Sequence, residues 1–291
     1  MRTFLLLLLL LAAPFSAAAA ELKVATWNLE WLTLRQAGDR ALPQNVRPKG
    51  PDSHALLRRY AEELAADVVA LQEVDGPEAA ALVFPPARYT THFTRDRMVQ
   101  RVGFAVRQGL RFTANPDLAS LNVTPGAPNP LRAGADITVE TPGGRLRLLN
   151  VHLKAGCRED PLDRSNRQQC DQLSLQLAAL QGWIAERRRE GVPFVLLGDF
   201  NRWLEGRGER GPGSFWTGLQ NTGPLARATE GRSSPCWGGG GFISHIVAGG
   251  AARGWMRTDT LRVLVYREQG QEWRARLSDH CPISVRFDLP D

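Results

Sequence analysis

The sequence predicts a mixed α/β sandwich, and three observations carry that reading. Phe194-Val195-Leu196-Leu197 is an unbroken apolar run closed by Gly198, the pattern of a strand buried on both faces in the middle of a sheet. Residues 136–140 and 145–151 flank the turn Pro142-Gly143-Gly144 and read as a hairpin, which brings in antiparallel pairing. Clear helical periodicity is confined to two stretches, so the chain lacks the helix after every strand that a doubly wound parallel sheet requires.

In chain order, residues 22–30 open as a strand, with Asn28 and Glu30 at its far end on one face by the two-residue period. Residues 33–52 hold three prolines and two glycines and form a loop, made basic by Arg35, Arg40, Arg47 and Lys49. Asp52 or Ser53 is positioned to cap a helix with Leu56, Tyr60 and Leu64 on one side. Residues 68–73 repeat the design of the central strand, an apolar run ending in a carboxylate, Glu73. Residues 102–106 form another short strand, and the second hairpin strand runs straight into His152 and Lys154. Leu173, Leu177, Leu180 and Ile184 mark a second helix, which ends by Gly191-Val192-Pro193 and leads into the central strand. Asp199 and Asn201 stand just past that strand. Gly- and Arg-rich loops follow until residues 242–247, read as a strand, and 283–289 alternate as the last one, with Ser278-Asp279-His280 just before it.

With 291 residues, 43% of them hydrophobic, and no internal repeat, the chain suits a large core. Arg2, an apolar run from Phe4 to Phe15 and four alanines ending at Ala20 have the pattern of a signal peptide, 1–20, too short for a comfortable membrane span. The expectation is one catalytic domain, 21–291, exported to a periplasmic or extracellular location without a stable membrane anchor. Four cysteines, Cys157, Cys170, Cys236 and Cys281, then suggest two disulfides; three pairings exist, and nearest-neighbour pairing is preferred for the first two. No Cys-x-x-Cys or helical histidine pair points to zinc. The formal charge of +6 favours an acidic partner, a weak signal taken alone.

Asn28, Glu30, Glu73, His152, Asp199, Asn201, Asp279 and His280 all fall at strand ends, where α/β sheets build sites. Oxygen ligands without cysteine suit a hard cation such as Mg²⁺ or Mn²⁺, and two histidines beside them suit hydrolysis of a phosphate ester. The segments Trp27-Asn28-Leu29-Glu30, Leu71-Gln72-Glu73-Val74, Val151-His152-Leu153-Lys154, Gly198-Asp199-Phe200-Asn201 and Ser278-Asp279-His280-Cys281-Pro282 together resemble, in order and across nearly the whole mature chain, the endonuclease/exonuclease/phosphatase superfamily. The resemblance implies a deoxyribonuclease I-like four-layer sandwich of two packed mixed sheets with helices outside and the site at one edge. It implies that Glu73 is the principal metal ligand, with Asn28, Glu30 and Asp279 beside the metal. Asp199 would prepare the attacking water, Asn201 contact the phosphate, and His280 with Asp279 close the site. His152 would be the acid for the leaving oxygen, and Arg132, with Asn28 and Asn201, would bind substrate phosphate.

The chain departs from the family pattern at Ser244, where members usually carry an aspartate that orients the final histidine. A Cys236–Cys281 bond would tie the same two segments together covalently. The implied function is an exported metal-dependent phosphodiesterase acting on nucleic acid, DNA first. The alternatives are a phosphatase or sphingomyelinase-like enzyme, though no aromatic-rich hairpin for membrane insertion is present, or a catalytically weak nucleic-acid-binding protein that kept the fold.

Overall fold

The structure, a computed structural model, describes residues 20–163, 166–209, 211 and 213–290. The expected signal segment, 1–20, lies outside the described residues apart from Ala20. The first half of the chain supplies the strands β1 (Glu21–Leu32), β2 (Val68–Val74), β3 (Tyr89–Phe93), β4 (Arg101–Arg107), β5 (Phe112–Ala114) and β6 (Ala135–Thr141). The second half supplies β7 (Gly144–His152), β8 (Phe194–Asp199), β9 (Leu225–Arg227), β10 (Ser244–Gly249), β11 (Met256–Val263) and β12 (Ile283–Asp288). The helices are α1 (Pro51–Leu64), α2 (Pro77–Ala80), α3 (Gln168–Arg189), α4 (Phe215–Gln220), α5 (Ala252–Trp255) and α6 (Gln271–Arg276).

Two six-stranded sheets result, ordered β11-β12-β1-β2-β4-β3 and β5-β6-β7-β8-β10-β9. Both are mixed: β1 runs parallel to β2 and β7 parallel to β8, and the remaining pairings are antiparallel. The central strand β8 is interior, as its doubly buried apolar run requires. Its Val195 and Leu197 face the other sheet, alongside Val24, Val68, Ala70 and Phe104, whereas Phe194 and Leu196 face α3 with Leu180, Trp183 and Ile184. On the first sheet, Val69 and Leu71 turn outward onto Leu57, Tyr60 and Leu64 of α1. Three apolar interfaces therefore separate four layers, helix, sheet, sheet and helix.

Two local expectations shift. The first helix starts at Pro51, whose fixed φ and missing N–H suit the first helical position, and it has no side-chain cap at Gly50. It buries Leu57 in place of Leu56, because steps of four residues drift off a 3.6-residue period. The strand expected from residue 242 begins at Ser244, the first residue in register with β8.

A buried polar rung crosses between the sheets beneath their carboxyl ends. The Gln72 amide donates to Asn150 Oδ1 at 2.7 Å, and the Asn150 amide donates to the carbonyls of Leu71 at 2.8 Å and Gly103 at 2.6 Å. Every partner in this rung is satisfied, so it fixes the alignment of one sheet against the other without the cost of an orphaned polar group. The residues just above it are thereby held opposite one another.

Candidate active site

Register places the predicted residues in two facing rows. On the second sheet His152 pairs with Asp199 and Asp199 with Ser244, one rung running across β7, β8 and β10. On the first sheet Asn28 of β1 lies level with Gln72 of β2, immediately before Glu73. Asp279 and His280 enter from the loop before β12, anchored by Ser278, whose hydroxyl donates to the Asn28 carbonyl at 2.7 Å and accepts the His280 N–H at 3.0 Å.

Alternation alone would send Glu73 outward with Val69 and Leu71, toward α1. Instead the pairing with β4 slips between Gln72 and Val74, that with β1 slips between Asn28 and Leu32, and Glu73 takes φ 59°. Glu30 at φ 42° and Asn201 at φ 51° share this left-handed conformation. Bulges and left-handed backbone at non-glycine residues carry a cost that tends to be found where side chains are re-aimed into a site. Gly198, at φ 136°, has a different reason. A Cβ there would sit 2.0 Å from the Val151 carbonyl oxygen, so only glycine lets β7 and β8 close together just below His152 and Asp199.

The contacts converge on Asp199. Its Oδ1 accepts the Asn201 backbone N–H at 2.8 Å, and its Oδ2 accepts the Asn28 amide at 3.0 Å. The same Oδ2 lies 3.6 Å from His152 Nε2 and 3.5 Å from His280 Nε2. The Asn28 amide also donates to Glu73 at 3.0 Å, and Gln100 donates to the other Glu73 oxygen. The Asp279 N–H donates to Glu30 at 3.0 Å, and the Lys49 ammonium donates to the Glu30 carbonyl. Ser244 Oγ is 3.2 Å from His280 Nδ1. Arg132 acts electrostatically on both Glu73 and Asp199, and its Nε is buried without a hydrogen-bond partner. The structure thus brings all the predicted residues into one cluster.

Burial and crowding set the charges. Burial and then the charge of Asp279 push the Glu30 carboxyl up to about 7, and burial also raises Glu73. Burial, Arg132 and His280 hold His152 well below the usual imidazole range, so it is neutral. Carboxylates crowded together in a partly dry site, with no thiolate among them, fit a hard divalent cation, whose charge would offset their mutual repulsion. Glu73, Glu30, Asp279 and the Asn28 side chain could hold it only by drawing closer, because no three carboxylate or imidazole groups of the cluster bring ligand atoms within 4.8 Å of one another among the described residues.

Next to Ser244, His245 faces the other side of the sheet. Its Nε2 donates to the Arg202 carbonyl at 2.9 Å, Thr229 Oγ1 lies 2.7 Å from Nδ1, and burial drives its pKa down to about 3. Between pH 6.5 and 3 the unfolded chain binds this proton and the folded chain does not, so its contribution is complete above 6.5 and is lost as pH falls. The raised Glu30 and Glu73 have the opposite sign, so a variant difference isolates it. The unfolding free energy of wild type minus that of His245→Gln should fall below pH 6.5 with a slope approaching about 1.4 kcal/mol per pH unit. A difference independent of pH between 6.5 and 4 in urea titrations would refute this assignment.

Sequence reading missed several supporting residues. Gln100 lies in a loop with no periodicity to mark it, and Lys49 stands out in the sequence only as one cation of a basic loop, with nothing to pair it with Glu30. Tyr266, whose hydroxyl accepts from the Trp27 indole at 2.9 Å and donates to the His280 carbonyl at 2.9 Å, is 14 residues from its partner. Ser278 alone carried a signal, as part of the Ser-Asp-His run.

The chain matches the Endonuclease/Exonuclease/phosphatase family over residues 25–280. It belongs to that family. A search of curated protein sequences finds no match. Among solved structures, TDP2 from Caenorhabditis elegans has a TM-score of 0.61 at 17% identity, over 92% of this chain and 74% of that one. The human nocturnin catalytic domain with bound sulfate gives 0.62 at 16%, over 93% and 94%. The 3′ phosphatase NExo from Neisseria, bound to a product DNA hairpin, gives 0.55 at 19%, over 92% and 99%. Members of the family are phosphoesterases, the 3′ phosphatase among them. These likenesses establish a shared deoxyribonuclease I-like fold.

Proposed function

We propose that the chain is an exported, divalent-metal-dependent phosphodiesterase that hydrolyses nucleic acid, with DNA as its substrate, and that residues 21–291 form its single catalytic domain behind a signal peptide, 1–20. The observation that carries this reading is the convergence of His152 Nε2 and His280 Nε2 on one oxygen of Asp199, between Glu73 and Arg132. Asp199, fixed by Asn28 and Asn201, takes a proton from the attacking water. Arg132 donates to the phosphoryl oxygens as negative charge builds on them, while the amides of Asn28 and Asn201, whose hydrogens go to Glu73, Asp199 and the Leu153 carbonyl, hold the aspartate in place beside the phosphate. The bond from phosphorus to the leaving oxygen breaks opposite the new one, and His280 supplies the proton, since burial and Arg132 hold His152, the acid that the family resemblance implied, in its neutral form. Bound at Glu73, Glu30 and Asp279, a Mg²⁺ or Mn²⁺ ion would supply charge neutralisation for the phosphate. Two disulfides, Cys157–Cys170 and Cys236–Cys281, suit an oxidising compartment, and among the described residues no helix is long and apolar enough to cross a membrane.

A groove of about 840 Å³ leads from Arg132 and Lys154 past Arg95, Arg97 and Arg40, whose side chains make no hydrogen bond or ion pair to any described residue. It supports a polyanionic substrate and revises the basic-loop expectation. Arg35 is paired with Asp39 and Asp75, Arg47 donates to backbone carbonyls, and Lys49 is turned inward to Glu30, which leaves Arg40 of that loop facing the groove unpaired. The purified mature chain should nick supercoiled plasmid with Mg²⁺ or Mn²⁺ and not with EDTA. Neutralising Arg40, Arg95 and Arg97 should reduce the salt dependence of DNA binding by about one unit of slope per lost contact. Release of phosphocholine or inorganic phosphate from lipid or inositol substrates, with no nicking, would replace this reading.

A further inference from the structure

The groove occupies only one flank of the cluster. In the second sheet the strand order runs β6, β7, β8, β10, and the corresponding residues are Arg132 before β6, His152, Asp199 and Ser244. In the first sheet the same direction reads from Gln100 beside β4, through Glu73 and Asn28, to His280 before β12. The basic groove lies over the β4 and β6 end of both sheets. Over the other end, past Ser244 and His280, lies a separate pocket of about 230 Å³.

That pocket is floored by His280 and Asp279 and walled by the backbone of residues 239–241, which carries no side chains to fill it. Two guanidinium groups, Arg158 and Arg274, line it, and neither side chain makes a hydrogen bond or ion pair to any described residue. They come from unrelated parts of the chain, the loop after Cys157 and helix α6, and line the same pocket. Two arginines without a side-chain partner among the described residues, lining one pocket beside the cluster, suit planar or tetrahedral oxyanions, because the guanidinium fork matches their oxygens. At about 230 Å³ the pocket falls below the ~300–1,000 Å³ that takes a drug-sized ligand, so it has room for one phosphorylated sugar and not for a duplex.

We propose that Arg158 and Arg274 bind a second phosphate of the substrate, adjacent to the scissile one and on the side away from the groove. This rests on the phosphodiesterase reading and narrows it: the enzyme selects substrates that are anionic on both sides of the bond it cuts. A phosphocholine group would set its trimethylammonium against two cations. Asp279 belongs to the cation-holding set and is not available to repel the phosphate when that cation is present.

The test uses the full mature chain with Mg²⁺ and three thymidine dinucleotides, one unphosphorylated, one with a 5′-terminal and one with a 3′-terminal phosphate. One terminal phosphate should lower KM by about tenfold or more with little change in kcat. In the Arg158→Ala/Arg274→Ala double variant that advantage should vanish. Wild-type hydrolysis of bis(p-nitrophenyl) phosphate reports the phosphodiesterase reading by itself. If that diester is cleaved but the three dinucleotides share one KM, or the variant keeps the advantage, the second-phosphate site is overturned and the parent reading stands. If wild type cleaves none of the four, the parent reading falls and takes this one with it.

Discussion

Asp199→Asn is expected to lower turnover of plasmid DNA by about 10²–10⁴-fold, the usual contribution of a positioned proton acceptor. Excess Mg²⁺ or Mn²⁺ should restore none of it. The substitution is nearly isosteric, but one amide end can no longer accept from both Asn28 and the Asn201 N–H, so the side chain loses its orientation as well as its basicity. Glu73→Gln should behave differently. It keeps an oxygen to accept from Asn28 or Gln100 and weakens only the hold on a cation, so its activity should fall by about 10–100-fold and recover in part as the metal is raised. Steady-state rates over a metal titration, with thermal melts to confirm folding, separate the two. Equal rescue of both variants, or near-wild-type turnover in both, would mean the residues are assigned to the wrong steps.

The second large effect concerns the covalent link beside His280. Cys281 follows His280 directly and is bonded to Cys236 across 45 residues, while Trp237, next to Cys236, donates its indole N–H to the Ser278 carbonyl at 2.9 Å. Tyr266 holds the His280 carbonyl. The backbone of the Ser-Asp-His segment is thus clamped on several sides, whereas the imidazole has only the neutral Ser244 hydroxyl on Nδ1. Cys236→Ser/Cys281→Ser should cost about 2–4 kcal/mol of stability. It should also reduce kcat at temperatures where the variant remains fully folded. Ser244→Asp, which adds a charged acceptor to the ring, should raise kcat in that background more than in wild type. If kcat per folded molecule is unchanged when the disulfide is removed, the bond is a staple for stability and plays no part in placing the histidine.

How much of this was legible in the sequence follows the topology. The interior strands, β1, β2, β4 and β12 in one sheet and β6, β7, β8 and β10 in the other, all announced themselves. The four that did not, β3, β11, β5 and β9, are the four edges. An interior strand is apolar on both faces or alternates cleanly, but an edge strand such as β11, with Arg257, Thr258 and Asp259 exposed, is polar enough to discourage pairing with another molecule and reads as loop. The cluster was legible because each member ends a readable strand or sits in a short motif. What holds it was not. The bulge at Glu73, the clamp by Tyr266 and the inward turn of Lys49 depend on partners distant in sequence, and no local pattern encodes them. Arg132, named from the sequence only through the family resemblance, exerts its charge on both Glu73 and Asp199.

The pairing of the first strand with the last has a consequence for the birth of the protein. Glu21 lies opposite Asp288 and Thr26 opposite Ile283, so β1, which carries Asn28, gains this neighbour only once residues 283–288 have been made. The loop with Asp279 and His280 arrives equally late. At about 5–20 residues per second of synthesis, the growing chain lacks Asp279 and His280 for several seconds after Asn201 has been made. Whatever chemistry the finished site performs is therefore withheld from the ribosome and its surroundings until residues 279–288 have emerged and paired with β1.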